Sequence, residues 1–183
     1  MKYYTDRTGP KVAQALLDGA IGVLKTDTLY GIVAVASNQP AVERLLSVRR
    51  RDPGKACIVL IGDTRQMYDV PEQTLQEFID KQWPGPVSIA VASPSAPKYL
   101  QFKDGTVAYR LPADRNLRRL LLETGPLIAP SANPPGETPA TTAQAAESYF
   151  GQKVDFYVES GEVVAGTPSQ LWTYADGTMN RLR

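Results

Sequence analysis

The sequence predicts an α/β fold: a single domain over residues 1–183 in which a twisted mixed β-sheet is flanked by helices. Segments with helical spacing of apolar residues alternate with short apolar segments of strand length. Two pairs of predicted strands follow one another closely, which indicates antiparallel neighbours within the sheet. The 183 residues suffice for one domain with its own core.

In the first half, each helix is predicted between a start signal and a stop signal. One covers Lys11–Asp18, because the preceding Pro10 suits a first helical turn and a glycine follows the last residue. The next has Asn38 as its N-cap and covers Ala41–Arg49, with apolar residues on one face. Strands are predicted at Ile21–Leu24, Ile32–Ala36 and Cys57–Ile61.

In the second half, the turn Trp83–Pro86 separates a helix from a strand, because its two prolines exclude a helix there. Helices are predicted at Glu72–Lys81, at Asn116–Glu123 with a start near Asp114, and at Thr142–Phe150. Strands are predicted at Val87–Ala92, Thr106–Leu111, Leu127–Ala129, Val154–Val158, Gln170–Tyr174 and Met179–Leu182.

The composition excludes several classes of chemistry. The chain has no histidine, so a Ser-His-Asp triad, a Cys-His pair and an imidazole zinc site are impossible. Its single cysteine excludes an intramolecular disulfide. With 20 basic and 19 acidic residues, the net charge of +1 argues against purely electrostatic binding of nucleic acid. Catalysis would have to use arginine, lysine, hydroxyl, amide, carboxylate or backbone groups.

No targeting or membrane segment is expected. The first seven residues, Met1–Arg7, lack the apolar region of a signal peptide. No apolar run approaches the ~20 residues that a membrane span needs. We therefore expect a cytoplasmic protein without membrane association.

The first candidate site is a basic cluster between a predicted helix and a buried strand. Arg49 and Arg51 are separated by one residue, so in an extended segment both can point the same way, and Pro53-Gly54 would turn Lys55 back toward them. Arginine forks and lysine charges bind phosphate oxygens, which favours a polyphosphate ligand. Ala56 follows the lysine, so this is no Walker A motif. The alternative is a solvated loop after a helix end.

Three polar loops adjoin predicted strands. The segments are Thr26–Gly31, Ser131 with Asn133, and Gly166–Gln170. Polar side chains at strand ends favour a ligand in the crevice of an α/β sheet. The alternative is that these residues only form turns.

Arg110 lies within a predicted buried strand. A charge there is unfavourable unless it is paired. Either the carboxylate of a ligand or an acidic side chain of the protein would pair it.

Together these segments resemble the YrdC/TsaC family of threonylcarbamoyl-AMP synthases, in its short single-domain type. The resemblance covers residues from about 10 to 183 and rests on segments that occur in order: Thr26–Gly31, Arg49-x-Arg51-x-x-x-Lys55, Trp83–Pro86, Val107–Pro112, Pro130–Asn133 and Gly166–Ser169. It implies a YrdC-like sheet around a concave basic cavity. It also implies condensation of L-threonine, bicarbonate and ATP, with Mg²⁺, to threonylcarbamoyl-AMP and pyrophosphate.

The resemblance also implies partners and site residues. The product would supply the threonylcarbamoyladenosine modification of tRNA, with tRNA and a threonylcarbamoyl-transfer complex as further partners. The implied contacts to ATP are Arg51, Lys55, Thr106, Ser131, Asn133 and Arg183. The implied contacts to threonine are Thr28, Arg110 and Ser169, with Arg110 pairing the carboxylate. The implied catalytic cations are Arg49, which replaces the family's lysine, Arg51 and Lys55.

Two alternatives remain at this point. One is a relative that forms carbamoyl-adenylate from carbamoyl phosphate. The other is a non-catalytic module of the same fold that binds double-stranded RNA or tRNA through a phosphate-tracking surface: Arg49–Arg51, Arg115, Arg118 and Arg119.

Overall fold

One mixed sheet organises the chain. The computed structural model describes residues 1–50, 57–164 and 166–183. Within these ranges the strands are β1 Lys2–Tyr4, β2 Gly22–Lys25, β3 Tyr30–Val35, β4 Ile58–Leu60, β5 Val87–Ala92, β6 Thr106–Arg110, β7 Leu127–Ile128, β8 Phe156–Val158, β9 Gln170–Ala175 and β10 Thr178–Arg181. The α-helices are α1 Pro10–Leu17, α2 Gln39–Val48, α3 Gln73–Gln82, α4 Arg115–Thr124 and α5 Ala143–Phe150.

The strand pairing confirms a mixed sheet. Its order is β1-β8-β2-β3-β7-β4-β6-β5-β9-β10. The pairs β2–β3 and β5–β6 are antiparallel, as the sequence predicts for these neighbours. The pairs β4–β6 and β5–β9 are parallel, so the sheet combines both patterns. The predicted fold class is thus confirmed.

Strand β1 is not predicted from the sequence. It lies at the edge of the sheet, where Lys2–Tyr4 pair in parallel with Phe156–Val158. All of its residues are exposed or half-buried, so no alternation of apolar and polar residues marks it as a strand. Pairing with a distant segment is what makes these residues a strand.

Helices cover both faces of the sheet because side chains alternate along its central strand. In β3, Ile32 and Ala34 pack in the core that contains α2, α3 and α5. Val33 and Val35 point to the opposite face and pack with α1 and α4. This two-sided burial explains why β3 is apolar throughout.

Local hydrogen bonds set the helix starts. The side chain of Asn38 accepts from the backbone N–H of Ala41 (3.1 Å), and Asp114 accepts from two N–H groups of the first turn of α4. Both predicted starts are thus confirmed. In the ranges that the structure covers, no helix combines the length and apolarity needed to cross a membrane.

Two glycines on paired strands differ in the room they leave for a side chain. A Cβ at Gly22 would lie 2.2 Å from the ring of the buried Phe156, whereas at Gly31 the nearest atom is a carbonyl oxygen 3.4 Å away. We expect Gly22→Ala to lower the free energy of unfolding by about 1–3 kcal/mol through overpacking, and Gly31→Ala by less than about 1 kcal/mol. Denaturant titration measures both, and equal losses would contradict this packing.

Candidate functional site

A cleft of about 200 Å³ opens on the sheet face that carries α1 and α4. Arg110, on β6, lies opposite Leu60, which packs with those two helices, so both side chains point to this face. The cleft is lined by the loop after β2, the ends of β4 and β7, the segment before β9, and Arg183. These five separate parts of the chain therefore meet with Arg110 at one site.

Arg110 is the most deeply buried charge on the wall of the cleft, with 4% of the residue exposed. Its Nη2 lies 3.0 Å from Oδ1 of Asp27, a side chain that is itself 7% exposed. Nη2 also lies 3.5 Å from the hydroxyl of Thr26. Within the described residues, its Nε is buried and has no hydrogen-bond partner. The sequence allowed either a ligand carboxylate or an acidic side chain of the protein to pair Arg110. The structure shows the acidic side chain, Asp27, and leaves the Nε of Arg110 as a further donor.

Asp27 joins the site to the start of helix α4. Its second carboxylate oxygen accepts from the backbone N–H of Ala113 at 3.1 Å, just before that helix. Asp27 is not among the site residues that the family resemblance implies, although its loop is a candidate from the sequence. Two features of the sequence indicate Asp27: it lies in the Thr26–Gly31 loop, and the predicted buried arginine needs an acidic partner.

The cleft has a positive electrostatic character. Burial lowers the pKa of Arg110 below its usual value, the Asp27 carboxylate opposes this, and the positive charge of Arg183 adds to it. An arginine remains protonated despite such a shift. Two guanidinium groups therefore lie near one another at the cleft, which favours an anionic ligand.

Hydrogen bonds of Thr26 shape the first loop of the wall. Its hydroxyl donates to the carbonyl of Leu29 at 2.7 Å and accepts from the N–H groups of Thr28 and Leu29, both at 3.2 Å. This is the local turn that threonine favours. It places Thr28 on the wall of the cleft with its hydroxyl 3.2 Å from that of Thr26.

The opposite wall is held by contacts from β5 and the end of β10. The Ser169 hydroxyl lies 2.9 Å from that of Ser88, and both residues are buried. Arg183 donates from Nε and Nη2 to the carbonyl of Ser169, at 3.3 and 3.1 Å. A Cβ at Gly166 would lie 2.6 Å from the carbonyl oxygen of Thr28, so this segment approaches the first loop closely. Glycine at this position therefore permits the two walls to meet.

Ser131 lies on the wall next to this first loop and is contacted from behind by Arg49. The Nε of Arg49 donates to the carbonyl of Ser131 at 2.9 Å, and Nη2 donates to its hydroxyl at 3.1 Å. Arg49 is 8% exposed and is not part of the wall. Among the described contacts, Arg49 reaches the site through Ser131.

Of the eight predicted site residues within residues 1–50, 57–164 and 166–183, the structure brings five to one wall. Those on the wall are Thr28, Arg110, Ser131, Ser169 and Arg183. Thr106, at the start of β6, is off the wall and donates to Asp104 at 2.8 Å. Asn133 is buried behind the wall and donates to two carbonyls of the following loop. Arg51 and Lys55 lie outside the described residues.

Hydroxyls and guanidinium groups, rather than carboxylates, line the cleft. No aspartate or glutamate is on its wall, as far as the chain is described. Nor do three or more His, Cys, Asp or Glu side chains gather as metal ligands among the described residues. Such a wall suits anions and hydroxyl-bearing ligands.

The ion pair between Arg110 and Asp27 predicts a large loss of stability when its acid is neutralised. We expect Asp27→Asn to lower the free energy of unfolding by about 3–5 kcal/mol, because a buried guanidinium is left without a compensating charge. The matched control is Asp63→Asn, since Asp63 pairs with an arginine that is 86% exposed; its loss should stay below about 1 kcal/mol. Similar losses in denaturant titrations of the two variants would contradict this difference.

Comparisons with known proteins agree with the fold and with the family that the sequence resembles. The model of the Sua5/YciO/YrdC family, described as "Telomere recombination", matches residues 14–183. The chain is 30% identical over 175 residues to the threonylcarbamoyl-AMP synthase of Pseudomonas fluorescens, covering 93% of this chain and 95% of that protein. It is 33% identical over 174 residues to a Mycobacterium leprae relative, covering 92% of this chain and 79% of that protein.

A solved structure shows the same fold. The crystal structure of P. abyssi Sua5 complexed with L-threonine superposes with a TM-score of 0.88 at 24% identity and covers all of this chain. This chain spans 56% of the length of that Sua5 chain. Because the family match covers nearly the whole chain and identity to the Mycobacterium leprae relative is 33%, the protein belongs to the Sua5/YciO/YrdC family.

Proposed function

We propose that this protein is a threonylcarbamoyl-AMP synthase, which condenses L-threonine, bicarbonate and ATP to threonylcarbamoyl-AMP and pyrophosphate. Relatives of nearly the same length that carry this name support the proposal. The structural observation that carries it is the buried Arg110, whose Nε lacks a partner among the described residues, on a wall that also holds hydroxyl groups. The product would serve tRNA modification in the cytoplasm.

The threonine half of the site follows from the donors around Arg110. A guanidinium binds a carboxylate through its planar fork, and Asp27 occupies only one part of that fork. The remaining donors would receive the carboxylate of threonine. Thr28 and Ser169, on the same wall, offer hydroxyl groups to the polar atoms of the amino acid.

The nucleotide half would use the other end of the wall. Ser131 and Arg183 offer a hydroxyl donor and a positive charge, both suited to phosphate oxygens. Asn133 presents a buried carbonyl oxygen without a partner in the described part of the chain. Asn133 itself lies off the wall of the cleft, so its contact with ATP rests on the motif. We assign Thr106, Arg51 and Lys55 to ATP on the motif alone.

The chemistry needs no strong base for the transfer step. The amine of threonine and bicarbonate form a carbamate with loss of water. A carbamate oxygen then attacks the α-phosphorus of ATP, and the bond from that phosphorus to the pyrophosphate oxygen breaks. Because the nucleophile is already an anion, catalysis reduces to positioning and stabilisation of charge, which arginine, lysine and hydroxyl groups supply without histidine.

We propose that Mg²⁺ enters with ATP. The hydroxyl and guanidinium groups of the described wall are poor ligands for this ion, whereas phosphate oxygens and water are its preferred ones. These residues therefore fit a cation held by the nucleotide rather than by a protein cage. When bound, the ion would neutralise charge on the phosphates, and the protein residues would orient the nucleotide and the carbamate.

Pyrophosphate release tests the reaction directly. We expect release from ATP that requires both threonine and bicarbonate and that falls strongly when serine replaces threonine. Release with carbamoyl phosphate in place of threonine and bicarbonate would instead indicate a carbamoyl-adenylate-forming relative. Salt-sensitive RNA binding without any release would indicate an RNA-binding module.

Arg110 should determine the requirement for threonine. We expect Arg110→Lys to raise the KM for threonine about tenfold or more while the KM for ATP changes little, because lysine keeps the charge but loses the fork. Lysine also leaves Asp27 with a cation, so the variant should fold, which Arg110→Ala puts at risk. Steady-state kinetics measure both constants, and Arg65→Lys, at an exposed position, is the control. Equal changes in the two KM values would argue against the carboxylate role.

The basic cluster should determine turnover. We expect Arg51→Ala and Lys55→Ala each to lower the turnover of ATP to pyrophosphate by about 100-fold, as the loss of one electrostatic donor does in other enzymes. Arg65→Ala serves as the charge-matched control for the arginine variant. Unchanged turnover in a folded double variant would remove both residues from the site.

A further inference from the structure

We propose that Arg49 acts on the reaction through Ser131, holding the serine hydroxyl as a hydrogen-bond donor for a phosphate oxygen of the nucleotide, an inference that rests on the function proposed above. Arg49 is thus a positioning residue rather than a direct phosphate ligand. The contact joins the end of α2 to the loop after β7.

The geometry of the contact is two-pronged. Adjacent nitrogens of the Arg49 guanidinium reach the carbonyl and the hydroxyl of the same serine, at 2.9 and 3.1 Å. Arg49 is the C-cap residue of α2, so the helix end fixes its backbone, and only 8% of the residue is exposed. A planar fork that donates to two oxygens of one residue restricts the serine rotamer more strongly than a single contact does.

The direction of this hydrogen bond determines what the hydroxyl can do. A serine hydroxyl has one proton to donate, and its oxygen can accept. Because the Arg49 guanidinium only donates, the Ser131 oxygen accepts from it and keeps its own proton for another acceptor. Ser131 Oγ donates to no other residue in the described part of the chain. Its proton is therefore available to a ligand in the cleft, and the ligand atom must be an acceptor such as a phosphate oxygen.

The backbone near Ser131 is held without Arg49. Ser131 forms a bridge with Gly31 on β3. On either side of it, Ala132 donates to the carbonyl of Tyr30 at 2.8 Å, and Ile32 donates to that of Pro130 at 3.0 Å. Loss of the Arg49 side chain should therefore leave the loop in place and free the serine rotamer. This separates a positioning effect from a folding effect.

A double-mutant cycle tests the inference: Arg49→Ala, Ser131→Ala and the double variant, with kcat and KM measured by pyrophosphate release. We expect each single change to lower kcat/KM for ATP by about tenfold or more, as expected for loss of a hydrogen bond to a charged group. The double variant should lie within about twofold of Ser131→Ala, because the two residues act as one unit. The KM for threonine should change little. If the two effects multiplied, so that the double variant lost about 100-fold in kcat/KM for ATP, the inference would be overturned and Arg49 would be a ligand of the nucleotide itself.

Arg49→Lys separates geometry from charge. Lysine keeps the positive charge but cannot place two fixed donors on one residue, so we expect it to resemble Arg49→Ala. Activity near that of the unchanged protein would overturn the two-pronged role. If Arg49→Ala does not fold, Arg49→Lys completes the same cycle with Ser131→Ala. The control is Arg44→Ala on the same helix, whose guanidinium pairs with Asp155 away from the cleft.

Binding measurements keep the inference apart from the proposed function. If the unchanged protein releases no pyrophosphate, the proposed function fails, and the same cycle is then measured on the affinity for ATP by titration calorimetry. Non-additive losses of affinity would support the coupling between Arg49 and Ser131. Additive losses, or none, would refute it.

Discussion

The buried ion pair between Arg110 and Asp27 is the constraint on which the candidate site depends. It joins the end of β6 to the loop after β2, and the second oxygen of Asp27 extends the link to the start of α4. Burying a charge pair costs desolvation free energy, which apolar side chains in the same place would not. Here the pair holds a guanidinium on the wall of a cleft while leaving a donor of that group without a protein partner. Under the proposed function, stability and threonine binding would therefore depend on the same contact.

Those parts of the fold that rest on local signals could be predicted from the sequence. Asn38 and Asp114 begin helices because their side chains accept from nearby N–H groups, which is a property of short segments. The neighbours β2 and β3 pair as expected because a short loop leaves few other arrangements. Strand β1 escaped prediction because its partner lies more than 150 residues away and no apolar period marks it.

The candidate site was predicted less completely, for a related physical reason. Residue type and loop position indicated the loops that carry Thr28, Ser131 and Ser169, and the structure places these residues on the wall of the cleft. They did not reveal which acid pairs Arg110, or that the Arg49 guanidinium points to Ser131, because side-chain direction depends on the register of distant strands. The motif resemblance named residues, whereas the three-dimensional arrangement separates those on the wall from those that hold the wall in place.

The walls of the cleft come from segments that are distant in the chain and are held together by the sheet and by contacts between the loops. Thr28 follows β2, Ser131 follows β7, and Ser169 precedes β9. A ligand that touches all three acts as a reversible cross-link between parts that would separate if β9 left the sheet. Binding to the folded state alone raises the free energy of such opening by mass action. In a cell rich in the substrates of this protein, β9 would then leave the sheet less often than in a cell depleted of them.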